Sequence, residues 1–556
     1  MFLKTIFAMS EEKVGIVGYG VAIPKERLDT TEVIKKRAEI IKEKYLKPGE
    51  TLEDYKEKTV KSLGLRQKSV PAPWEDTITI ASEASLNAIN MAGIDPNSIQ
   101  TIVVGSESKP YAVGEIARHI GAFTGVGEFV GTADIEGACV SGITSLHLIK
   151  SQVKARDIDY GLAVGADVSQ AGAGDPLELA AGAGSGAFVI GRENLVASII
   201  DSVPYSTLTL DFWRREGQSV PKHFGPTTTD AFLIHIAGAW YALCKKYPEL
   251  VLHDFDHIGT HQPSQYIARR STQIMTGNYD KLKPEDVFTD KDFIEKSKLT
   301  LEEYKTKILR WVGATAEYVG NTYAASSTMT ASRILDSAKP GENILILSYG
   351  SGAYSMAVWL RVERGIEQKK HKVPNFEDYL SRKLLMKGSE HWQREKIKKT
   401  FRLDHPRYAG TVEPMPEYGE IKQSVCDDCE RTFLPARLKC LDDSKMLIQQ
   451  KLPVVGKVEN VFKLSWGDRP WEAYKMFKGG YVPFASYQDG DITPGMEVEA
   501  IVGKLHSKSS DDIIQYSVHY RPRFRTNFPE KGLTIGLYAP NGFIANAVNL
   551  SSVRMT

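Results

Sequence analysis

The chain has 556 residues, of which 42% are hydrophobic and 25% are charged, and its net charge is +1. This length and composition suit a globular protein of several domains with a sizeable buried core. The balanced charge gives no global signal for nucleic-acid binding, and no apolar run approaches the ~20 residues that a membrane-spanning helix needs. The apolar start, Met1–Met9, is too short for the core of a signal peptide. We therefore expect a cytoplasmic protein that binds neither nucleic acid nor membrane.

The cysteines indicate a reducing compartment. Five are present, and three of them, Cys426, Cys429 and Cys440, lie close together late in the chain. An odd number with this distribution is typical of a nucleophile and a metal site rather than a disulfide framework.

Apolar runs alternate with amphipathic stretches up to about residue 362. In the first part we predict strands at 14–24, 101–108, 129–135, 160–167 and 185–190, and helices at 31–46, 52–65, 77–93 and 115–123. The second part repeats the pattern, with helices at 231–247 and 321–338 and strands at 255–261, 343–352 and 354–362. This alternation predicts an α/β fold with a parallel or mixed sheet, in which chemistry gathers at the carboxyl ends of strands.

Cys139 lies between a β-like run and a helical pattern, among the small residues Gly137, Ala138, Ser141 and Gly142. A thiol at a strand-to-helix turn lies near the positive end of a helix, which predicts a lowered thiol pKa. Because small neighbours also let a substrate carbonyl approach, we predict a nucleophile. The alternative is a buried and unreactive cysteine.

Further polar groups lie at the ends of predicted strands or begin a predicted helix. Glu107 lies in an apolar setting that raises a carboxyl pKa, which suits a general base. His261 is a candidate acid or base, and Asn321 is a candidate to orient a carbonyl group. The turn at Ser351 and Gly352 lets backbone N–H groups approach a ligand. Taken singly, each group also has a structural explanation: a salt bridge, a structural histidine, a helix cap and a tight turn.

The order and spacing of these residues resemble the thiolase superfamily, and within it the archaeal type of 3-hydroxy-3-methylglutaryl-CoA (HMG-CoA) synthase. The similarity covers about residues 13–362. It includes the stretches Val14–Gly20, Gly105–Val113, Asp211–Gly217, Thr260–Pro263 and Ser348–Gly352. The resemblance implies a thiolase fold of two pseudo-repeated αβαβα halves, at 13–195 and 196–365.

The resemblance also implies a reaction. Cys139 would take an acetyl group from acetyl-CoA, and Glu107 would remove a proton from its methyl group. The carbanion would attack acetoacetyl-CoA, with His261 as the proton donor, to give HMG-CoA for the mevalonate pathway of isoprenoid biosynthesis. The implied substrate-binding residues are Asn321, Ser351, Gly352, Asp167 and Asp211. The CoA thioesters are substrates, so no organic cofactor is expected, and a homodimer is implied.

Two departures from the family pattern lie next to the site. Val140 follows the cysteine where the archaeal enzymes have lysine, and Ser264 replaces the asparagine after His-Gln-Pro. They leave open a related condensing enzyme with a different β-ketoacyl acceptor. A non-catalytic scaffold that binds a thiolase is a further alternative.

The composition shifts at 363–372, where we place the main boundary. After it we predict a helical linker at 374–420, a zinc-ribbon-like segment at 421–446, an OB-fold barrel at 447–530 and an unassigned tail at 531–556. Cys426, Cys429, Cys440 and Asp443 have zinc-ribbon spacing, with Asp443 in place of the fourth cysteine. The alternative is a ribbon that holds no metal.

The tail resembles the rubredoxin-like zinc ribbon and OB-fold proteins that accompany thiolase-type enzymes and in archaea bridge thiolase and synthase. This implies an acetoacetyl-CoA thiolase as a partner and a role in passing acetoacetyl-CoA between sites. Zinc ribbons and OB folds also bind nucleic acids, but the balanced charge argues against that function here.

Overall fold

The computed structural model describes most of the chain up to residue 392 and shorter stretches beyond it. The described ranges are 13–41, 49–72, 74–168, 171–172, 175–209, 211–215, 218, 220–223, 225–392, 422–425, 432–433, 448–451, 455–466, 469–476, 481–485, 493–504 and 516–523. Contacts divide the chain into two compact units. One contains the residues up to 401 except 95–99 and 118–130, and the other contains those two stretches and the remainder.

The strands up to residue 392 form one large sheet and two small ones. In chain order they are β1 (Gly15–Ala22), β2 (Glu26–Asp29), β3 (Gln67–Ser69), β4 (Ile99–Gly105), β5 (Gly131–Ile135), β6 (Tyr160–Asp167), β7 (Gly184–Gly191), β8 (Ala197–Thr209), β9 (Phe212–Trp213), β10 (Lys222–His223), β11 (His257–Thr260), β12 (Asn343–Gly350), β13 (Gly352–Val362) and β14 (Leu384–Met386). The large sheet has nine strands in the order β11-β12-β13-β8-β1-β7-β6-β4-β5. The small sheets are β14-β2-β3 and β10-β9.

The same strand order occurs twice in the large sheet. In the first half, β1 pairs antiparallel with β7, β7 pairs antiparallel with β6, and β4 lies next to β6. In the second half, β8 pairs antiparallel with β13, β13 pairs antiparallel with β12, and β11 lies next to β12. The halves join where β1 pairs with β8, with Gly15 opposite Ser198. This arrangement agrees with the two related halves that the sequence predicts.

The helices of this part of the chain follow the predicted alternation. They are α1 (Thr30–Ile41), α2 (Leu52–Leu63), α3 (Thr77–Ala92), α4 (Ile116–Thr124), α5 (Ser141–Ala155), α6 (Gly225–Lys246), α7 (Gln265–Met275), α8 (Lys291–Ser297), α9 (Leu301–Glu303), α10 (Ala316–Val319), α11 (Ala324–Ser337), α12 (Gly365–Lys369) and α13 (Phe376–Ser381). Helix α6 begins before the predicted start at Ala231, because Pro226 is compatible with a first helical turn.

Small residues bring α3 close to the sheet. The helix begins at an Asp76 cap, whose side chain accepts the Thr79 N–H, and ends at Gly93 with φ +71°. A Cβ atom on Gly18 or Gly20 of β1 would overlap the backbone of α3. Glycine at both positions therefore allows the close contact between α3 and β1.

Aromatic side chains fill the core of the second half. Trp240 of α6 and Trp359 of β13 are fully buried and both pack edge-on against Phe255, with ring centroids 5.9 and 5.6 Å apart. Burying each of these side chains contributes on the order of 2–3 kcal/mol. The cluster holds α6 against the sheet.

The segment after residue 362 packs back onto the first half of the sheet. Tyr379 of α13 donates its hydroxyl to Glu83 of α3 at 2.6 Å and accepts the Asn87 amide at 2.9 Å. Strand β14 pairs in parallel with β2. The predicted helical linker is therefore wrong at Leu384–Met386, because pairing with β2 requires an extended backbone there. Residues 393–421 lie outside the described ranges.

The later strands are all paired antiparallel. They are β15 (Lys422–Val425), β16 (Thr432–Phe433), β17 (Ile448–Lys451), β18 (Val455–Trp466), β19 (Arg469–Met476), β20 (Tyr481–Ala485), β21 (Glu497–Lys504) and β22 (Tyr516–Pro522). They form a three-stranded sheet, β16-β15-β17, and a five-stranded sheet, β20-β19-β18-β21-β22. The four predicted metal ligands, Cys426, Cys429, Cys440 and Asp443, lie outside the described residues. Within the described residues, no helix is long and apolar enough to span a bilayer.

Candidate active site

Cys139 lies in a short 3₁₀ turn, Ala138–Val140, between β5 and α5. The turn is tight, since Ala138 has φ +50°. The thiol is 5% exposed and packs against Ala181 and Tyr323. A Cβ atom on Gly350, at the end of β12, would overlap the backbone of this turn. The end of β12 and the start of α5 thus fix the position of the sulfur atom.

Glu107 follows β4, and its carboxylate interacts with the Cys139 thiol by charge and hydrogen bonding. Its Oε1 atom is buried and has no hydrogen-bond partner among the described residues. Burial, followed by the charge of Asp167, raises the pKa of Glu107 to about 8. Near neutral pH most of this carboxyl group is protonated, and its ionised fraction is a stronger base than an ordinary carboxylate, which suits the predicted role of general base.

The expectation of a lowered thiol pKa at Cys139 is wrong. Burial and the negative charge of Glu107 raise the pKa of the thiol well above its usual value, with smaller contributions from Asp167 and Asp211. These effects outweigh the favourable end of α5. The sulfur therefore keeps its proton near neutral pH, and the ionised form of Glu107 is the adjacent group that could accept it.

Asp167, at the end of β6, connects several segments of the site. Its Oδ1 atom accepts the Ser106 hydroxyl at 3.0 Å, the Glu107 N–H at 2.8 Å and the Ser108 hydroxyl at 2.6 Å. Its Oδ2 atom accepts the Ala324 N–H at 2.8 Å, at the start of α11. Burial raises the pKa of Asp167 to about 6 although these hydrogen bonds lower it. With both oxygens used, Asp167 acts on the site by placing Glu107.

His261 and Asn321 form a buried pair. Asn321 Oδ1 accepts the Tyr323 N–H at 2.9 Å, which identifies it as the amide oxygen. The His261 Nε2 atom lies 3.3 Å from the same oxygen, so Nε2 carries the ring proton and donates it. Burial lowers the pKa of His261 to about 4, although the contacts with Asn321 and the Tyr349 backbone raise it. The imidazole is therefore neutral near pH 7, with its one ring proton on Nε2 and donated to Asn321.

Asp211 organises the glycine-rich turn. The Ser351 hydroxyl donates to Asp211 Oδ2 at 3.1 Å, and the Gly352 N–H donates to Asp211 Oδ1 at 3.1 Å. Gly352 has φ +95°, a conformation that favours glycine. Asp211 is fully buried, so it fixes the backbone of this turn beside Cys139.

The structure thus brings the eight predicted catalytic and substrate-binding residues into one region. Charge links Cys139 to Glu107, Asp167 and Asp211, while Tyr323 contacts both Cys139 and the Asn321 pair. No group of three or more potential metal ligands occurs within the described residues.

Three contributors to the site were missed from the sequence. Arg214 donates to the Glu107 carbonyl at 3.0 Å, and its charge lowers the pKa of Glu107. Tyr323 adopts φ +47°, and Phe212 packs against it with ring centroids 6.2 Å apart. Arg214 and Phe212 lie in the Asp211–Gly217 stretch that supported the family resemblance, so that stretch was the available signal.

The two departures from the family pattern have structural roles. Val140 is fully buried in the hydrophobic core beneath the cysteine turn. Ser264 is 2% exposed and caps α7 by accepting the Ile267 N–H at 3.2 Å. Neither side chain is an exposed group of the site, so these two positions give little reason to expect a different acceptor.

Comparisons with known proteins agree with this geometry. Residues 75–187 match the family of the thiolase N-terminal domain. The chain is 37% identical to the hydroxymethylglutaryl-CoA synthase of Methanopyrus kandleri, over 69% of this chain and 98% of that relative. It is 37% identical to the enzyme of the same name from Archaeoglobus fulgidus, over 64% of this chain and 90% of the relative.

Solved structures show the same fold. A complex of MvaS with 3-hydroxy-3-methylglutaryl coenzyme A has a TM-score of 0.59 and 22% identity, and the match covers 69% of this chain and 92% of that one. An HMG synthase of the curacin biosynthetic pathway has a TM-score of 0.55 and 17% identity, over 69% of this chain and 88% of that one. Because sequence identity extends over nearly the full length of the archaeal relatives, the chain belongs to the hydroxymethylglutaryl-CoA synthase family.

Proposed function

We propose that the chain condenses acetyl-CoA with acetoacetyl-CoA to HMG-CoA through an acetyl group carried on Cys139. The proposal rests mainly on the interaction between the Cys139 thiol and the Glu107 carboxyl group, whose pKa is raised to about 8. A nucleophile and a base in contact support both acyl transfer and carbanion formation.

The first step is acetyl transfer. The Cys139 proton moves to Glu107, and the sulfur bonds to the acetyl carbonyl carbon of acetyl-CoA. The bond between that carbon and the CoA sulfur breaks, and the CoA sulfur takes the proton back from Glu107, which returns to the carboxylate form. The backbone N–H groups of Cys139 and Ser351 are the proposed donors to the oxyanion, because β12 and the cysteine turn are in close contact.

The second step forms the new carbon–carbon bond. Glu107 removes a proton from the methyl group of acetyl-Cys139, and the carbanion attacks the ketone of acetoacetyl-CoA. Asn321 accepts the Nε2–H of His261 and so holds the ring, and the N–H that reaches the ketone oxygen is the Nδ1–H of the protonated imidazole. Negative charge developing on that oxygen raises the pKa of His261, so the imidazole can take up a proton and deliver it to the alkoxide. Water then hydrolyses the thioester and restores the thiol.

Several finer assignments complete the proposal. Asp167 and Asp211 act by positioning Glu107 and the Ser351–Gly352 turn. We propose that the chain works in the cytoplasm as a homodimer, without an organic cofactor. We propose the domain boundaries 13–195, 196–365, 374–420, 421–446, 447–530 and 531–556, of which the segment 374–420 contains strand β14 and is not a purely helical linker.

The tail is proposed to be a zinc ribbon and an OB fold that receive acetoacetyl-CoA from a partner thiolase. The support is the spacing of Cys426, Cys429, Cys440 and Asp443 and the antiparallel sheets of the described strands. These residues fit zinc by donor type, with three thiolates and one carboxylate. Metal analysis of the purified chain and of a Cys426→Ser variant tests this assignment.

Labelling tests the proposed reaction. Wild-type protein incubated with radiolabelled acetyl-CoA should carry one acetyl group, and Cys139→Ala should carry none. Cys244→Ala, which removes the other buried free cysteine of the described residues, is the matched control and should label normally. Full labelling of Cys139→Ala, or none of the wild type, contradicts the proposal.

Product analysis distinguishes the acceptors. Addition of acetoacetyl-CoA to the labelled enzyme should release HMG-CoA, which mass spectrometry detects. The labelled enzyme should react faster with acetoacetyl-CoA than with other β-ketoacyl thioesters. A faster reaction with another thioester would indicate a related condensing enzyme. Normal thiolase binding without turnover would indicate the scaffold.

A further inference from the structure

We propose that Glu178 and Trp392 are positioning residues that hold the Asn321 side of the active site in place for condensation. The inference deepens the proposed function and rests on it. It assigns a role to Trp392, in the segment that follows β14, and to its partner Glu178. Neither residue belongs to the proposed catalytic group.

A hydrogen bond to a buried carboxylate joins the two residues. Glu178 lies in the 3₁₀ helix Pro176–Leu179 and is 1% exposed. The Trp392 indole Nε1–H donates to Glu178 Oε1 at 2.9 Å, and His391 Nε2 lies 4.0 Å from the same oxygen. A buried carboxylate depends on such donors, so loss of the indole N–H should displace the helix that carries it.

The Trp392 side chain has a prepared position. A Cβ atom on Gly388 would overlap the indole ring, so the glycine makes room for it. The Lys36 ammonium of α1 lies 5.5 Å from the ring centroid, on its face. The ring is therefore held from two sides, as expected for a residue with a positional role.

The backbone directly after this helix holds Asn321. The Asn321 N–H donates to the Ala180 carbonyl at 2.7 Å, and the Gly182 N–H donates to the Asn321 carbonyl at 2.8 Å. Ala181, between them, packs against Cys139. A shift of the 3₁₀ helix therefore moves Asn321, which orients His261.

Strand β3 holds the same segment from another direction. The Lys68 ammonium donates to the Glu178 carbonyl at 3.1 Å, and the Ala183 N–H donates to the Ser69 hydroxyl at 2.7 Å. These contacts engage the backbone. The Trp392 indole bonds only the Glu178 side chain. Loss of that hydrogen bond should therefore leave the 3₁₀ helix and the residues after it folded but less accurately placed.

The effect should fall on one half-reaction. Cys139 and Glu107 form the acetyl-enzyme, and they are fixed by the contact of β12 with the cysteine turn and by Asp167. Asn321 and His261 meet the acceptor, and their position depends on the segment after Glu178. Misplacement therefore slows condensation more than acetylation.

The test uses the full chain with Trp392→Phe, which keeps an aromatic ring and removes the N–H group. Two rates are measured in single turnovers: labelling by radiolabelled acetyl-CoA, and release of the label as HMG-CoA after acetoacetyl-CoA is added. We expect condensation to fall on the order of tenfold while acetylation stays within about twofold. Trp240→Phe is the matched control. It removes a buried indole hydrogen bond of 2.9 Å, to the Ser297 hydroxyl, in a part of the core outside the active site. It should keep the wild-type ratio of the two rates.

Equal slowing of both steps by Trp392→Phe, or the same change of ratio in Trp240→Phe, would overturn the inference. If Trp392→Phe does not fold, Glu178→Ala provides the second measurement. It should show the same selective loss, and a folded Glu178→Ala with the wild-type ratio also overturns the inference. Wild-type protein that takes up no label contradicts the proposed function instead, so the two failures are distinguishable.

Discussion

The raised pKa of Glu107 predicts that this carboxyl group destabilises the fold as the pH rises. The pKa is about 8 in the folded chain, against an ordinary value of 4.5. Between these values the folded state binds the proton that the unfolded state has released. The contribution of the protonated Glu107 carboxyl group to the free energy of unfolding is therefore fully present below pH 4.5, and it is lost as the pH rises towards 8. At ~1.4 kcal/mol per pH unit, the loss reaches on the order of 5 kcal/mol.

Glu107→Gln removes this titration while keeping the size of the side chain. Its free energy of unfolding, relative to that of the wild type, should rise by ~1.4 kcal/mol for each pH unit between about 4.5 and 8. From pH 5.5 to 7.5 the relative gain is ~3 kcal/mol, or several degrees in the melting temperature of the unit that contains Glu107. The same variant should lose condensation, because the glutamine amide cannot accept the methyl proton.

Thermal unfolding at constant ionic strength measures this effect. The transition of the unit up to residue 401 is followed separately, because a chain of two units need not unfold in one step. Glu285→Gln, at an exposed position, is the control and should show a pH-independent difference from the wild type. A pH-independent difference for Glu107→Gln as well would mean that Glu107 ionises normally, and would refute the argument.

Two further predictions concern the neighbours of the reacting groups. The condensation rate should rise with pH as Glu107 ionises. Arg214→Gln should move the midpoint of this rise to a higher pH by about 0.5 unit, because the guanidinium charge lowers the pKa of Glu107. The pH profile of kcat/KM measures this shift. Gly350→Ala should abolish acetyl labelling, because the new methyl group would overlap the Gly137 carbonyl and displace Cys139. The radiolabel retained on the protein measures this loss. Arg215→Gln, which removes a neighbouring exposed charge, should shift the profile less. Gly131→Ala, whose Cβ atom would stay 3.6 Å from its nearest neighbour, should label normally. Equal shifts for the two arginine variants, or normal labelling of Gly350→Ala, would contradict these predictions.

The sequence predicted the elements and the meeting of the reacting groups because both follow from local patterns. Alternating apolar runs identified eight of the nine strands of the large sheet, whereas β8 (Ala197–Thr209), at the junction of the halves, was not predicted. Glu107 and His261 then followed, since Glu107 lies two residues after β4 and His261 lies directly after β11. Each of these strands runs parallel to a neighbour, and polar groups converge at the carboxyl ends of such strands. Cys139 and Asn321 were found from small-residue helix starts.

The sequence did not predict properties that depend on distant parts of the chain. The thiol pKa of Cys139 depends on full burial and on carboxylates from three other segments, which no local pattern reveals. Asp167 received only a minor role, because its donors come from the ends of other elements. The β-strand at Leu384–Met386 was missed because its pairing partner, β2, lies near the start of the chain.

The repeated strand order has a consequence for how the reaction is divided between the halves. Glu107 follows β4 and His261 follows β11, which are corresponding strands. Cys139 and Asn321 occupy corresponding positions too, at the starts of the helices that lead into β6 and β12. In the proposed reaction, the first half supplies the nucleophile and the base, and the second half supplies the groups that meet the acceptor. Substitutions in the second half should therefore change acceptor specificity while the acetyl-enzyme chemistry of the first half is preserved.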